Sequence, residues 1–110
     1  MELRGHLDLM LLSSLRQLGS AHGYAIIVAL RDGSDGVFDL PEGTVYPALH
    51  RLERAGLVNS DWDTSGARRR RVYRLTTDGT AALAAKQREW HAFAHGMRAL
   101  IAPTASEGLA

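Results

Sequence analysis

Three stretches with apolar residues at helical spacing, each followed by a glycine-bearing break, precede a stretch that alternates at strand spacing, and a fourth helical stretch closes the chain. That order constrains the fold more than any compositional figure. Over residues 7–18, Leu7, Met10, Leu11, Ser14, Leu15 and Leu18 form one stripe, and Leu9 and Leu12 lie off it. A helix that is apolar on more than one side must be covered on more than one side. Residues 22–32 give a second helix with Tyr24, Ile27 and Val28 facing inward, joined by Ile26 and Leu30. A turn-rich break at 32–36 follows, then a short extended stub at 37–40.

The third helix is expected over 41–55. Val45, Ala48, Leu49 and Leu52 repeat there as i, i+3, i+4, i+7, and Gly56 stands where a left-handed cap belongs. Pro47 in its second turn removes one backbone bond and should bend it. Residues 57–63 and 69–76 then read as two strands joined by a turn at 64–67. Arg71, Tyr73 and Leu75 share one face of the second strand, and Arg70, Val72 and Arg74 the other. Trp62 and Tyr73 are expected in the hairpin core. Thr76 caps a last helix that runs to Ile101, with Asp78 in its first turn.

The expected fold is mostly α with a β-hairpin wing: a winged helix-turn-helix over 1–76, a long C-terminal dimerisation helix over 77–102, and a frayed polar tail over 103–110. The dimer follows from surplus apolar surface. Leu83, Trp90, Phe93, Met97 and Leu100 give the last helix more apolar face than one small domain can cover, and Leu9 and Leu12 give the first helix a spare face. Two copies can cover each other's surplus by an isologous contact.

The net charge of +1 becomes informative only when placed along the chain. Arg68, Arg69, Arg70, Arg71 and Arg74 fall close together with no acid between them, while the rest of the chain holds 8 basic and 12 acidic residues. A local basic patch of this kind predicts an anionic partner. The absence of cysteine excludes disulfides and thiolate metal sites and fits a cytoplasmic setting. No stretch approaches the roughly 20 apolar residues that span a bilayer, so no membrane partner is expected, and residues 1–6 show no signal-peptide pattern. No nucleophile with a base partner and no phosphate-binding glycine loop is visible, so the chain is not expected to be an enzyme. His91 and His95 stand four apart, a metal-compatible spacing, but lack a third ligand; no metal and no cofactor is expected.

A third helix followed by a basic hairpin suits double-stranded DNA. The helix can enter a major groove about 12 Å wide. Its core stripe leaves Thr44, Tyr46, His50 and Arg51 outward, and Gly43 allows a sugar-phosphate backbone to come close. The first-turn N–H groups of Glu42, Gly43 and Thr44 favour a phosphate oxygen, although the Glu42 carboxylate opposes one. In the hairpin, Arg68, Arg69, Arg70 and Arg71 can neutralise phosphates or enter a narrow minor groove. The alternative is a winged-helix module that binds protein and not DNA.

The chain also resembles the PadR family of bacterial regulators. The resemblance rests on His22-Gly23-Tyr24, on 43–49 (Gly-Thr-Val-Tyr-Pro-Ala-Leu), on 51–58 (Arg-Leu-Glu-Arg-Ala-Gly-Leu-Val), and on 69–76 with Gly79. The single C-terminal helix is similar to the short branch of that family. The resemblance implies a two-fold dimer on a palindromic operator, acting as a repressor. It implies DNA contacts at Thr44, Tyr46 and Pro47 and around Gly66 and Arg68, and it accounts for Pro47. Pro41 departs from the serine cap of many members. The resemblance further implies that Trp90 can serve as a stacking surface for a small aromatic effector, with Leu9, Phe93 and Met97 as neighbours.

Overall fold

The computed structural model describes residues 3–102, with side chains from Gly5 onward. The tail expected over 103–110 lies outside the described residues. The elements in chain order are α1 (Leu3–Leu18), β1 (Ser20–His22), α2 (Gly23–Gly33), α3 (Glu42–Arg54), β2 (Val58–Asp63), β3 (Arg70–Leu75) and α4 (Thr77–Ile101). The architecture is a mostly helical winged helix with a small antiparallel sheet, as the sequence pattern implies.

The extended segments differ from the sequence reading in two respects. The sheet has three strands in the order β1-β3-β2, with Ala21 opposite Tyr73 and Ser60 opposite Tyr73 on the other side. β1 has only three residues, too few for an alternation to show. By pairing along β3 it satisfies that strand's second edge. The expected stub does not form, since residues 38–40 join no strand.

α1 is the central element, packed against α2, α3, α4 and the sheet. Leu7, Leu11, Leu12 and Leu15 are buried on it and meet Ile26, Val45, Leu49, Leu52, Val58, Tyr73 and Leu83 in one core. The chain's own elements therefore cover more than one side of α1. This corrects two assignments to the subunit interface: Leu12 and Leu83 are both 0% exposed within the single chain and have no surface left to share. Tyr24 is also corrected. α2 buries Gly23, Ile26 and Ile27, and one step of helix beyond Gly23 carries Tyr24 out to 60% exposure.

α3 ends in the expected left-handed cap. Gly56 has φ +79°, its N–H donates to the Glu53 carbonyl, and the Leu57 N–H donates to the Leu52 carbonyl, at 3.0 Å each. Thr76 then ties α4 to this corner. Its hydroxyl accepts from the Gly79 N–H at 2.9 Å and donates to the Gly56 carbonyl at 2.7 Å. α4 starts inside the core, through Gly79 and Leu83, and beyond it buries Ala94 outside the main core cluster. The molecule is 61 Å long against 27 and 21 Å across, with a radius of gyration of 16.8 Å; a compact chain of this length would have about 13 Å.

Gly79 is the tightest point of the α4 docking, because an added Cβ would collide with the Leu57 carbonyl. Glycine to alanine in a helix interior ordinarily gains up to about 1 kcal/mol. Gly79→Ala should instead lose about 1–3 kcal/mol, read as a lower urea midpoint; an unchanged or raised midpoint would contradict this packing.

Candidate nucleic-acid interface

The outward face of α3 follows from its inward one. Val45, Ala48, Leu49 and Leu52 are buried, which leaves Gly43, Pro47, His50 and Arg54 exposed and Thr44 and Tyr46 half-buried. Pro41 occupies the N-cap and makes no side-chain cap bond. Its carbonyl accepts from the N–H groups of Thr44 and Val45, at 3.0 and 3.1 Å. The Thr44 N–H is thus already used, which narrows the expected phosphate-facing end of the helix to Glu42 and Gly43. Tyr46 lays its ring against Gly23, in the space that a Cβ there would fill. Burial raises its phenol pKa, and the Glu42 carboxylate adds to the rise. The side chain therefore presents a neutral O–H.

Arg51 is corrected. Expected outward, its guanidinium makes two bonds to Asp8 of α1, to Oδ1 at 2.6 Å and Oδ2 at 3.0 Å. Both side chains are largely buried, so this arginine ties α3 to α1 and turns away from the outer surface.

The hairpin divides the arginine run. Val58, Ser60, Trp62, Arg71, Tyr73 and Leu75 share the face toward α3, in cross-strand pairs. On that face Arg71 Nε donates to Ser60 Oγ at 2.8 Å, and a terminal nitrogen lies 3.8 Å from Glu53 of α3. On the opposite face Arg74 pairs with Asp61 at 2.7 Å. Arg71 is thereby corrected from a free cation to one held by its own chain. Among the described residues, no carboxylate lies within ion-pair distance of Arg68, Arg69 or Arg70, and all three are exposed. Five clustered arginines reduce to three unpaired ones at the tip, beside Gly66.

The tip has its own scaffold. Asp63 Oδ1 accepts from the Ser65 N–H at 3.0 Å and from its hydroxyl at 2.7 Å, which closes the start of the loop. Asp63 Oδ2 lies 3.0 Å from His22 Nε2 of β1. Trp62, expected in the hairpin core, is 52% exposed, since it lies at the open end of the hairpin with Ser60 beside it and Arg71 opposite on that face. The sequence reading missed both Trp62 and Tyr24 as surface aromatics. Both are large aromatics that read as core; Trp62 is exposed because it lies beyond buried Val58 and Tyr73 at the end of their face, and Tyr24 because it lies one helical step past buried Gly23.

Helix and wing face the same way. Tyr46 and His50 of α3, Trp62, Arg69 and Arg70 of the wing, and Tyr24 of α2 line one hollow of about 300 Å³. A neighbouring depression of about 330 Å³ joins His50, Glu53, Arg54 and Arg71. The unpaired Arg69 guanidinium, a neutral phenol and an imidazole thus share one concave surface with Arg71, a donor-rich arrangement suited to a polyanion.

The expected effector residues lie on a second surface, away from this one. Trp90 is 38% exposed, with the His6 ring edge-on at 5.5 Å and Phe93 at 5.8 Å. A hollow of about 320 Å³ brings Leu9, Trp90 and Phe93 together with Lys86 and Glu89. Met97 does not line it.

Residues 11–85 match the family described as the transcriptional regulator PadR-like family. A transcriptional regulator from Clostridium thermocellum has a similar structure, with a TM-score of 0.82 and 30% identity over 90% of this chain and 96% of its own. A PadR family transcriptional regulator from Eggerthella lenta is 35% identical, with a TM-score of 0.78 over 92% of this chain and 86% of its own. The transcriptional regulator Rv3488 of Mycobacterium tuberculosis is 52% identical over 46 residues, which span 42% of this chain and 43% of that protein.

The hydrogen bonds from Ser65, with His22 beside them, hold the Asp63 carboxyl down at about 2, against an ordinary 3.8. Its native-state pKa lies below its unfolded one. Its contribution is therefore complete above about pH 4 and is lost as pH falls through about 2. A carboxyl-carbon titration should find this midpoint near 2 in the native protein, and Ser65→Ala should move it back toward the ordinary range. An unshifted Asp63 in the parent protein would contradict the closure of the loop by Ser65.

Proposed function

The chain belongs to the PadR-like family of transcriptional regulators, and from that membership we propose that it is a sequence-specific DNA-binding repressor, acting as a dimer on a palindromic operator and answering to a small aromatic effector. The observation that carries the DNA reading is the shared hollow of Tyr46, His50, Trp62, Arg69 and Arg70. A helix that reads base edges and a wing that meets the backbone must address one duplex together. Its place of action is the cytoplasm, where its operator lies.

In this reading Gly43, Thr44, Tyr46, Pro47 and His50 contact the operator from α3, and Gly66, Arg68, Arg69 and Arg70 contact it from the wing. Residues 1–76 do the binding and 77–102 the pairing. Tyr46 supplies an O–H donor to a base edge or phosphate, and the wing arginines release counterions. Tyr46→Ala should weaken binding to a duplex selected from a random pool far more than to random duplex. Arg69→Ala with Arg70→Ala should weaken both and flatten the salt slope by about 2 units. Equal losses on both duplexes for Tyr46→Ala would contradict these roles, and binding with no salt slope would favour a module that binds protein.

The distal half of α4 supports the dimer. Trp90, Phe93, Met97 and Leu100 are 38%, 44%, 40% and 82% exposed, an apolar row that the chain's own elements cover only in part. Covering such side chains contributes on the order of 1.5–3 kcal/mol each before ordering costs. Leu9, half-buried on α1 beside Trp90, is continuous with this row. A flat aromatic molecule can stack on Trp90 there. Sedimentation should show a dimer at micromolar concentration, and a flat aromatic cation should shift tryptophan emission in the parent but not in Trp90→Phe. A stable monomer, or emission indifferent to every flat aromatic cation and phenolic acid tried, would remove the corresponding part.

A further inference from the structure

Trp62 is the least expected side chain on the wing. An indole at the end of a two-stranded projection leaves half of its surface in water and contributes little to the core. What it does touch is cationic. The Arg69 guanidinium carbon lies 4.2 Å from the indole centroid, and that of Arg71 4.7 Å. These are cation–π distances, and tryptophan is the strongest of the aromatic partners.

The two arginines are not equivalent. Arg71 is anchored: it donates to Ser60 Oγ, and Ser60 in turn donates to Glu53 Oε2 at 2.7 Å. Glu53 belongs to α3, so Arg71 ties the indole to the helix proposed to read the operator. Arg69 lies in the loop just before β3 and has no carboxylate partner among the described residues. A guanidinium stacked by its flat face keeps its N–H donors in plane and directed outward. The chain of contacts from Glu53 through Ser60, Arg71 and Trp62 thus reaches a cation that is held in place and still able to donate.

We propose that Trp62 is a positioning residue for DNA binding: its indole, fixed to α3 through Arg71, holds the Arg69 guanidinium aimed at the duplex before the duplex arrives. This rests on the reading that the hollow between α3 and the wing binds DNA. A free arginine loses rotamer freedom when it docks on a phosphate or in a groove. Stacking on Trp62 removes that loss in advance, so affinity rises without a contact between Trp62 and DNA. Because Arg69 is assigned to the backbone, Trp62 matters on random duplex as well as on the operator, and the link through Glu53 also sets the spacing between the wing cation and Tyr46.

The test is a double-mutant cycle in the full-length protein, on a selected duplex and a random one, with W62L, R69A, their combination, and W62F. W62L should weaken binding to both duplexes about threefold to tenfold. W62F, which keeps a π face, should retain most of the affinity. The combined variant should bind no worse than R69A alone, because the two changes remove the same guanidinium contact. In the unbound protein, Arg69 side-chain protons should be shifted upfield by the indole ring, and the shift should vanish in W62L. Half-exposed Trp62 should leave the thermal midpoint of W62F near that of the parent, so the W62F arm reads binding even if W62L melts early. Parent-like affinity in W62L, additive losses in the cycle, W62F losing as much as W62L, or Arg69 protons without a ring shift would each overturn the proposal. A parent protein that binds neither duplex would sink the DNA reading and this proposal together. A parent that binds both while Trp62 is inert sinks this one alone.

Discussion

The rotation of α3 about its own axis is the constraint on which the rest depends. Val45, Ala48, Leu49 and Leu52 bury one stripe of that helix against the core built on α1. At 3.6 residues per turn, fixing that stripe leaves no choice about what faces out. Gly43, Pro47 and His50 must be exposed, with Thr44 and Tyr46 on the border. The two bonds between Arg51 and Asp8 lock the same rotation from the side, because a bidentate pair in a largely dry setting tolerates little turning. The Gly56 corner and Thr76 then fix where α3 hands the chain to the wing and to α4.

Charge on the wing is allotted by strand alternation. Period 2 sends Arg71 toward α3 and Arg70 and Arg74 the other way, and each face meets its own acids. Glu53 and Asp61 engage Arg71 and Arg74. Arg68, Arg69 and Arg70 remain for an external anion. The unpaired positive surface is therefore smaller than the run of arginines suggests. Asp63 contributes in a different way: it is an acid close to the tip, yet its oxygens are turned to Ser65 and His22 and so spent on closing the loop.

α4 plays two parts because it outgrows the core. Its first turns belong to the folded unit through Gly79 and Leu83, and its later turns bury Ala94 yet leave Phe93, Met97 and Leu100 largely uncovered. The site proposed for DNA and the hollow beside Trp90 lie on different surfaces, both built from helices that pack on α1. Asp8, which holds Arg51, sits on α1 one residue before Leu9, which lines the Trp90 hollow. The two surfaces thus share one helix.

The order of the four helices and the hairpin, the helical stripes, the Gly56 cap, the Thr76 cap and the basic hairpin were all determined by the sequence alone, because each is a local matter: a repeat period, a φ sign, a capping hydroxyl within three residues of its donor. Tertiary structure alone decided the rest. β1 is three residues paired to a strand some fifty positions away, with no periodicity to betray it. Arg51 turned inward because Asp8, on another helix, was there to take it. Trp62 and Tyr24 came out to the surface, and Leu12 and Leu83 went into the core of a single chain, because burial depends on which elements meet. Hydrophobicity along the chain says which residues gain from being covered; only the packing says which of them are.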